Sequence, residues 1–261
     1  TEPAMHASAL ANAKHFFDHY ARPGTVGTVL DIGAQDVNGS LRSVAPAGCT
    51  YIGVDFVAAA GVDVVLTDPY SLPFDSGSVD IVVSSSCLEH AEMFWLLFLE
   101  MMRVLRPGGL LYLNVPSNGH YHRYPVDCWR FYPDSGQALA NWARRNGMPA
   151  VCLESYVSDK MGSVWNDYVA VFAKDESCLH LHPRRIVHGT SAYTNGYAHG
   201  SAPHGAPGAL LNARAAPEDQ HRLLNALKCR FWIWRDKKRA RRARRKARTP
   251  AATGTGTPGP G

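Results

Sequence analysis

The sequence predicts an α/β fold: a doubly wound, mostly parallel seven-stranded sheet of the Rossmann-like kind, with helices on both faces. Three observations support this prediction. Short apolar runs rich in β-branched residues alternate with segments of helical periodicity, as in sheets whose strands are buried on both sides. Two of these runs end in an acid, in the motifs VLDIG at 29–33 and YIGVD at 51–55. The segment RPGG at 106–109 stops a helix and turns the chain into a new strand.

The predicted elements follow one another over the first 174 residues. A first helix covers 4–21, and the segment Arg22-Pro23-Gly24 ends it. Strands are predicted at 28–32, 51–55, 62–66, 79–84, 109–115, 151–157 and 168–173, and further helices at 91–105 and 134–146. Because little chain separates the last two strands, we expect them to form an antiparallel hairpin at the edge of the sheet.

The composition changes after Lys174 and divides the chain into four parts. We expect residues 1–174 to form one folded domain. Residues 175–216 carry many Gly, Ala, Pro and His without a steady period, which is typical of a linker. Residues 217–248 regain helical periodicity and are predicted to form a basic amphipathic helix, with an apolar face made of Leu223, Leu227, Phe231 and Trp234. Residues 249–261 contain only Thr, Pro, Ala and Gly and are predicted to be disordered.

The bulk composition is that of a globular protein in a reducing compartment. Of the 261 residues, 46% are hydrophobic, and no run of apolar residues is long enough to span a membrane. The first twenty residues carry Glu2, Lys14 and Asp18 and lack the apolar stretch of a secretory signal. The six cysteines are scattered and offer no zinc signature. We therefore expect free thiols, no metal and a cytoplasmic location.

The net charge of +5 conceals a strongly basic tail. Residues 222–248 hold thirteen of the 27 Lys and Arg residues and a single acid, whereas the rest of the chain has 14 basic and 21 acidic residues. Such a segment suits nucleic-acid phosphates or an anionic membrane surface. The apolar and aromatic residues at 231–234 favour a peripheral contact with the inner face of a membrane, because Trp beside clustered cations is typical of that interface. A solvated arm without a specific partner is the remaining alternative.

The acids at the ends of two neighbouring strands indicate a site for an adenosine-containing cofactor. Ligands of open α/β sheets bind beyond the carboxyl ends of the strands, where Asp55 is placed to accept hydrogen bonds from a ribose. A dinucleotide site requires the pattern G-x-G-x-x-G, but the loop at 33–39 reads GAQDVNG. Two of those glycines are absent, and Asp36 stands where a pyrophosphate would lie. The loop therefore disfavours NAD and suits S-adenosylmethionine, which carries an ammonium group and no phosphate.

Five motifs extend this pattern across residues 28–116. They are VLDIGAQDVNG at 29–39, YIGVD at 51–55, DPYSLPFD at 68–75, VDIVVSSSCLEH at 79–90 and RVLRPGGLLYLNVP at 103–116. In this order the segment resembles a class I S-adenosylmethionine-dependent methyltransferase of the type 11 group. The resemblance implies a methyltransferase domain over residues 1–174, a Rossmann-like methyltransferase fold and S-adenosyl-L-methionine as the cofactor. The chain departs from the group's D-x-G-x-G pattern at Gln35, which replaces the second glycine.

The resemblance also implies how the cofactor would be held. Asp31 and Gly33 would border its methionyl part, with Gln35 beside them, and Asp55 would accept hydrogen bonds from the ribose. The remaining positions would line the adenine and the floor of the cleft, or face the cofactor from the start of the next helix: Phe56, Asp68, Pro69, Ser84, Ser85 and Glu89, followed by His90. Taken singly, Asp31 and Asp55 would be interpreted as strand-end caps, and the ordered set of motifs favours the binding site.

A loop at 117–132 is the candidate acceptor side of the site, because loops at this edge of a sheet commonly carry function. It contains two histidines, one acid, two arginines and five aromatic residues. An alcohol acceptor needs a base or a metal, and we expect His122, or else His120, to be the general base and Asp127 to orient it. The alternative interpretation is a lid with solvated histidines. The stretch HRYPVDCWRFY at 122–132 resembles a loop of methyltransferases from bacterial polysaccharide clusters, including sugar O-methyltransferases.

The sequence therefore predicts an O-methyltransferase that acts on a sugar or glycan hydroxyl, as in polysaccharide biosynthesis, by in-line transfer from S-adenosylmethionine. One alternative is methylation of a lipid, a quinone or another small metabolite within the same fold. Another is a catalytically inactive cofactor-binding protein that is tethered by its basic tail. The departure at Gln35 keeps this last alternative open.

Overall fold

The computed structural model describes most of the first 214 residues and a few positions beyond them. The described residues are 7–21, 24–37, 39–161, 165–202, 206 and 209–214, together with 227, 230–232, 234–235 and 238. The chain divides into two compact units, Thr1–Arg214 and Ala215–Gly261. The first unit contains the sheet that the sequence predicts, and the second contains the basic tail.

The first unit alternates strands and helices in the predicted order. Its strands are β1 Thr28–Ile32, β2 Thr50–Asp55, β3 Val64–Val65, β4 Val79–Ser85, β5 Leu105–Pro116, β6 Val151–Ser158, β7 Asp167–Ala173 and β8 Tyr193–Ala198. Its α-helices are α1 Ala7–Tyr20, α2 Phe94–Val104 and α3 Ser135–Arg145, and short 3-10 helices cover Leu41–Val44, Glu176–Leu181 and Ile186–His188. Helix α3 ends before Gly147, which has the positive φ of 79° that favours glycine after a helix.

The strands form one mixed sheet in the order β3-β2-β1-β4-β5-β7-β6-β8. The five strands from β3 to β5 are parallel, and β7 runs antiparallel to both β5 and β6. The predicted antiparallel pairing of the last two predicted strands, β6 and β7, is confirmed, but the predicted position at the edge of the sheet is wrong. Eight strands are present instead of the predicted seven, because β8 adds to the outer edge of β6.

The strand order reverses between β1 and β4, and this brings the candidate cofactor residues to one edge. The chain moves from β1 outward to β2 and β3, and then returns to place β4 on the other side of β1. In the register Asp31 lies opposite Gly53, and Ile32 lies opposite Ser84. Such a switch point opens a crevice beyond the carboxyl ends of the strands. The fold therefore gathers the ends of β1, β2 and β4 where a cofactor would bind.

Helices cover both faces of the sheet, as predicted for a doubly wound fold. On one face Phe16 of α1 stacks on Tyr112 of β5, with ring centroids 4.8 Å apart. On the other face Phe98 of α2 contacts Phe172 of β7, and Leu139 of α3 joins the same apolar cluster. The rings and aliphatic side chains in these layers are almost fully buried. This burial supplies the main stabilisation of the fold.

The segment predicted as a linker at 175–216 is folded onto the sheet over much of its length. The carboxylate of Glu154, on β6, is fully buried and accepts hydrogen bonds from the amides of Ile186 and Val187, each at 3.0 Å, and from the hydroxyl of Tyr20. Strand β8 follows directly. The linker prediction is therefore wrong here. The contacts that hold the segment involve backbone amides and one buried carboxylate, and such contacts produce no periodic pattern of apolar residues in the sequence.

The second unit is described only at a few positions, and all of these are helical. Leu227, Phe231 and Trp234 are exposed there, each to more than half of its surface. Most of the helix predicted at 217–248, and all of the disordered segment predicted at 249–261, lie outside the described residues. Among the described residues, no helix combines the length and the apolar character needed to cross a bilayer.

Candidate active site

Asp31 is a buried carboxylate near the carboxyl end of β1. Only 4% of its surface is exposed, and Oδ2 accepts a hydrogen bond of 2.7 Å from the hydroxyl of Tyr51. Burial raises the pKa of Asp31 to about 6, and the negative charge of Asp55 acts in the same direction. A buried carboxylate of this kind is stabilised by a cation beside it. The ammonium group of an amino-acid ligand is suited to that place.

The loop after β1 turns sharply at Gly33, where φ is 83°. A Cβ atom at this position would lie 2.5 Å from Cβ of Cys87, so a side chain has no room there. The loop continues through Ala34 and Gln35, and the amide of Asp36 donates to the carbonyl of Ala60 at 2.8 Å. Gln35 is half-buried. Backbone contacts therefore shape this loop although it lacks the second glycine of the type 11 pattern.

The end of β2 carries the predicted ribose and adenine contacts. Asp55 is largely buried, and its Oδ1 accepts the amide of Val57 at 3.1 Å. The ring of Phe56 beside it is 52% exposed. Asp68 and Pro69 are also exposed, and Oδ1 of Asp68 accepts the amide of Tyr70 at 2.9 Å. These local turns hold the carboxylates in fixed orientations while one face of the Phe56 ring stays accessible.

The two serines at the end of β4 differ in their surroundings. Ser84 is fully buried, and its hydroxyl donates to the carbonyl of Ile32 at 2.8 Å, which joins the ends of β1 and β4. Ser85 is half-buried, and its hydroxyl accepts a long hydrogen bond of 3.4 Å from the amide of Asn114. Of the two, Ser85 has the more accessible side chain.

Cys87 lies between the cofactor residues and the acceptor side. Burial raises the pKa of its thiol to about 12, and the charges of Glu89, Asp55 and Asp31 add to the rise. The three acids therefore act on one thiol and share one region of the molecule. A thiol with this pKa stays protonated at neutral pH and is a poor nucleophile.

Glu89 and His90 lie in a turn before α2. The prediction that they begin the helix is wrong, because α2 starts at Phe94. Glu89 is 1% exposed, its Oε2 has no hydrogen-bond partner, and burial raises its pKa to about 8. The ring of His90 is held by a contact of 2.5 Å between Nδ1 and the carbonyl of Val126. This contact joins the turn to the loop at 117–132, which we call the acceptor loop.

The acceptor loop brings His122 and Asp127 together, as the sequence predicts for a base and its orienting acid. Nδ1 of His122 lies 3.4 Å from Oδ2 of Asp127, which also accepts the His122 amide at 2.7 Å. Arg130 binds both carboxylate oxygens, at 2.5 and 2.8 Å. Burial alone would raise the pKa of Asp127, but the hydrogen bonds from Arg130 and His122 hold it below its ordinary value. Burial lowers the pKa of His122 and favours its neutral form.

His120 occupies a different position in the same loop. Its ring centroid lies 6.2 Å from that of His122 and 5.0 Å from that of Trp165. Its carbonyl accepts a hydrogen bond from Arg130 at 3.1 Å. The array that orients His122 thus includes the backbone of His120, and the pairing of a histidine with Asp127 is made by His122.

Exposed aromatic side chains surround this array. Tyr121 is 70% exposed, and Tyr124 and Tyr132 are each about half exposed. Trp129 is partly exposed, and its indole donates to the carbonyl of Ala91 at 3.0 Å. A sugar presents apolar faces and hydroxyl groups together, and flat rings beside polar groups match both kinds of surface. The three tyrosines therefore do not pack on the core, whereas the Trp129 ring contacts aromatic rings of α2.

Comparisons with known proteins agree with this arrangement. A family model described as "Methyltransferase domain" matches residues 30–113. An uncharacterized methyltransferase of Mycobacterium avium is 33% identical over 171 residues, which cover 58% of this chain and 66% of the relative. A second one, from Mycobacterium marinum, is 37% identical over 148 residues, which cover 47% of this chain and 52% of the relative. Residues 30–113 are a methyltransferase domain.

The chain also resembles solved structures at low sequence identity. The 1,6-didemethyltoxoflavin-N1-methyltransferase of Burkholderia thailandensis, solved with 1,6-didemethyltoxoflavin and S-adenosylhomocysteine, has a TM-score of 0.48 and 18% identity, over 65% of this chain and 79% of that chain. The present chain spans roughly half to two thirds of the length of the curated relatives given above.

The residues at the switch point of the methyltransferase domain fit S-adenosylmethionine. Asp31 is a buried acid that a ligand ammonium would neutralise, Asp55 retains an oxygen that the Val57 amide does not occupy, and Phe56 presents an accessible ring. No cluster of backbone amides suited to a pyrophosphate forms at Gly33, whose amide and that of Ala34 both donate to the Val54 carbonyl. The cofactor prediction is confirmed, whereas the roles of single residues stay predictions.

Three contacts of this site were not expected from the sequence. Tyr51 donates to Asp31, Arg130 holds Asp127, and His90 lies beside His122 with ring centroids 4.9 Å apart. The three-residue spacing of Asp127 and Arg130 is a signal that was available in the sequence. The contact between His90 and His122 joins segments that lie 32 residues apart, and no sequence pattern predicts it.

Proposed function

We propose that this chain is an O-methyltransferase that transfers a methyl group from S-adenosylmethionine to a hydroxyl of a sugar or glycan. The observation that carries the proposal is the array of His122, Asp127 and Arg130 in an aromatic loop. A hydroxyl is the acceptor that needs such an array, because it is a poor nucleophile until its proton is removed. Phenols, amines and carboxylates need little further help.

The chain's own residues supply orientation and proton transfer. S-adenosylmethionine, when bound, supplies an electrophilic methyl group on a sulfonium. Asp127 holds Nδ1 of His122 and leaves Nε2 to accept the hydroxyl proton, while the hydroxyl oxygen forms its bond to the methyl carbon and the carbon–sulfur bond breaks. The aromatic side chains around the array restrict water and orient the acceptor, and orientation alone can account for about 7 kcal/mol of a barrier.

The proposal is tested by methyl transfer from labelled S-adenosylmethionine to a panel of glycans, lipids and quinones. We expect turnover with a glycan, and a loss of kcat of about 100-fold or more in the variant His122→Gln, because a positioned base contributes about that factor. The matched control is His15→Gln, which changes an exposed histidine of α1.

Three results would contradict parts of this proposal. Turnover with a lipid or quinone alone would assign a different acceptor, and unchanged turnover in His122→Gln would remove the proposed base. Absence of cofactor binding in calorimetry would exclude both methyltransferase hypotheses.

We further propose that the basic tail binds an anionic membrane surface. The exposed side chains of Leu227, Phe231 and Trp234 support this proposal, as do cations stacked on the indoles of the same helix. The guanidinium of Arg235 lies 3.5 Å from the ring centroid of Trp232, and the ammonium of Lys238 lies 4.7 Å from that of Trp234. Amphipathic rings beside cations match a lipid headgroup layer.

Vesicle flotation tests this tail. We expect the chain to float with anionic vesicles at low salt and to be released as salt rises, because each cation near such a surface contributes about 1 kcal/mol. The variant Trp234→Ala should float less, whereas Leu181→Ala, which removes an exposed leucine of the first unit, should behave as the unchanged chain. Binding to RNA without flotation would reject the membrane in favour of a nucleic acid.

A further inference from the structure

His122, the proposed base, forms a cluster with Glu89 and His90, two residues that the proposed proton transfer does not use. One ligand atom from each of the three side chains lies within 4.8 Å of the others. The carboxylate comes from the turn before α2, and the second histidine comes from the acceptor loop. We propose that this Glu89 cluster binds a divalent transition-metal ion.

The ring of His90 is already oriented as a metal ligand. Its Nδ1 contacts the carbonyl of Val126, so Nδ1 carries the proton and donates it. Nε2 is therefore unprotonated in the neutral ring, and it lies 3.8 Å from Oε1 of Glu89. Histidine ligands of metals typically donate their other ring N–H to a backbone carbonyl or a carboxylate, which fixes the ring and its tautomer.

The ring of His122 has both a carboxylate and a backbone carbonyl beside its Nδ1. Its Nδ1 lies 3.4 Å from Oδ2 of Asp127 and 3.3 Å from the carbonyl of His120. Arg130 fixes the Asp127 carboxylate, whose side chain is only 2% exposed. Nε2 is the ring nitrogen that remains for a ligand. Many zinc sites have this order of groups: a carboxylate holds one ring nitrogen of a histidine, and the other ring nitrogen binds the metal.

Glu89 would supply the negative charge that such a site requires, because a bound cation would displace the proton that burial favours on its carboxyl group. Its side chain is 1% exposed, and Oε2 makes no hydrogen bond. A buried carboxylate oxygen without a partner is costly, and a coordinated cation is one of the few groups that compensate it. Two imidazole nitrogens and one carboxylate oxygen favour zinc, iron, cobalt or manganese over magnesium and calcium, which prefer oxygen ligands throughout.

The ion would have a defined effect on the proposed reaction, and only this consequence rests on the proposed function. Coordination of the acceptor hydroxyl would lower its pKa, so that its proton leaves to water while the oxygen forms the bond to the methyl carbon. Nε2 of His122 would then be a ligand and not the proton acceptor. The two roles of this nitrogen exclude each other, and metal binding can be measured without any turnover.

The test uses the full chain after removal of metals with a chelator. Co²⁺ is titrated into it while the visible absorption is recorded, and Zn²⁺ is then added in competition. We expect one equivalent of Co²⁺ to bind, with a visible absorption band that Zn²⁺ removes. In His122→Ala and Glu89→Gln the affinity should fall about 100-fold, and in Asp127→Asn by about 10-fold or more, since loss of an outer partner typically costs 10–100-fold. His15→Ala is the control for binding by histidines elsewhere.

Absence of Co²⁺ binding by the unchanged chain would overturn the site. Equal Co²⁺ affinity in the unchanged chain, His122→Ala and Glu89→Gln would overturn it as well. Circular dichroism of each variant separates loss of ligands from loss of fold. Calorimetry with S-adenosylmethionine on the unchanged chain, with and without Co²⁺, reports the cofactor binding of the proposed function separately.

Discussion

Replacing Asp31 by alanine should lower the affinity for S-adenosylmethionine about 100-fold, because truncation of one member of a buried charge pair costs about 2–5 kcal/mol. The carboxylate is buried at the switch point, where the cofactor's ammonium would be its partner. Calorimetry with the cofactor measures the change. The control is Asp18→Ala, which removes an exposed acid that pairs with Lys14 on α1.

The same carboxylate makes cofactor binding depend on pH. Its pKa in the free protein is raised to about 6, so the fraction that carries a charge falls as the pH decreases through this value. The affinity should be constant above pH 7 and about tenfold lower at pH 5. Tyr51→Phe removes a hydrogen bond that lowers the pKa of Asp31, and the loss of affinity should therefore begin at a higher pH. An affinity that is independent of pH in both proteins would contradict this role.

Replacing Asp127 should abolish most of the methyl transfer while leaving cofactor affinity unchanged. In Asp127→Asn, Arg130 loses its charged partner, and the His122 ring loses the carboxylate beside Nδ1 and keeps only the His120 carbonyl as acceptor. We expect kcat to fall by about 10²–10⁴, the usual contribution of a positioned acid or base. Asp127→Ala should in addition lower the free energy of unfolding by about 3 kcal/mol, since it leaves the partly buried guanidinium of Arg130 unpaired.

Two measurements separate this positioning role from a general loss of structure. Cofactor affinity by calorimetry should be the same in Asp127→Asn and in the unchanged chain, whereas a misfolded domain would lose both activities together. Asp159→Asn changes an exposed acid just after β6 and should have no effect on either. Normal kcat in Asp127→Asn would exclude the carboxylate from the reaction.

The sequence predicts those parts of the protein in which the residue types alone indicate whether a segment is buried. The β-branched runs that become β1 and β4, and the second half of β2, are largely buried, so their composition alone identifies them. Asp31 and Asp55 end two such runs, and this position is enough to place them at one edge of a parallel sheet. His122 and Asp127 are five residues apart in one loop, and their contact was predicted from that proximity.

The remainder depends on contacts between distant segments. Glu89 and His90 meet His122 only because the turn before α2 and the acceptor loop lie against each other, with the His90 ring bound to the Val126 carbonyl. Strand β8 pairs with β6 through backbone hydrogen bonds inside a Gly- and Ala-rich segment, for which composition favours a linker. Neither contact produces a periodic pattern or a motif, so neither can be predicted from a single sequence.

The carboxylate of Glu154 has a consequence for the order in which the domain is made. Tyr20 precedes it by 134 residues, and the amides of Ile186 and Val187 follow it by more than thirty. During synthesis Tyr20 leaves the ribosome long before Glu154 and the two amides exist. The matched segment at 30–113 is complete before that moment, and it contains Tyr112, on which Phe16 of α1 stacks. The first helix therefore has an apolar partner early, whereas its hydrogen bond to Glu154 forms only after β6 has been made.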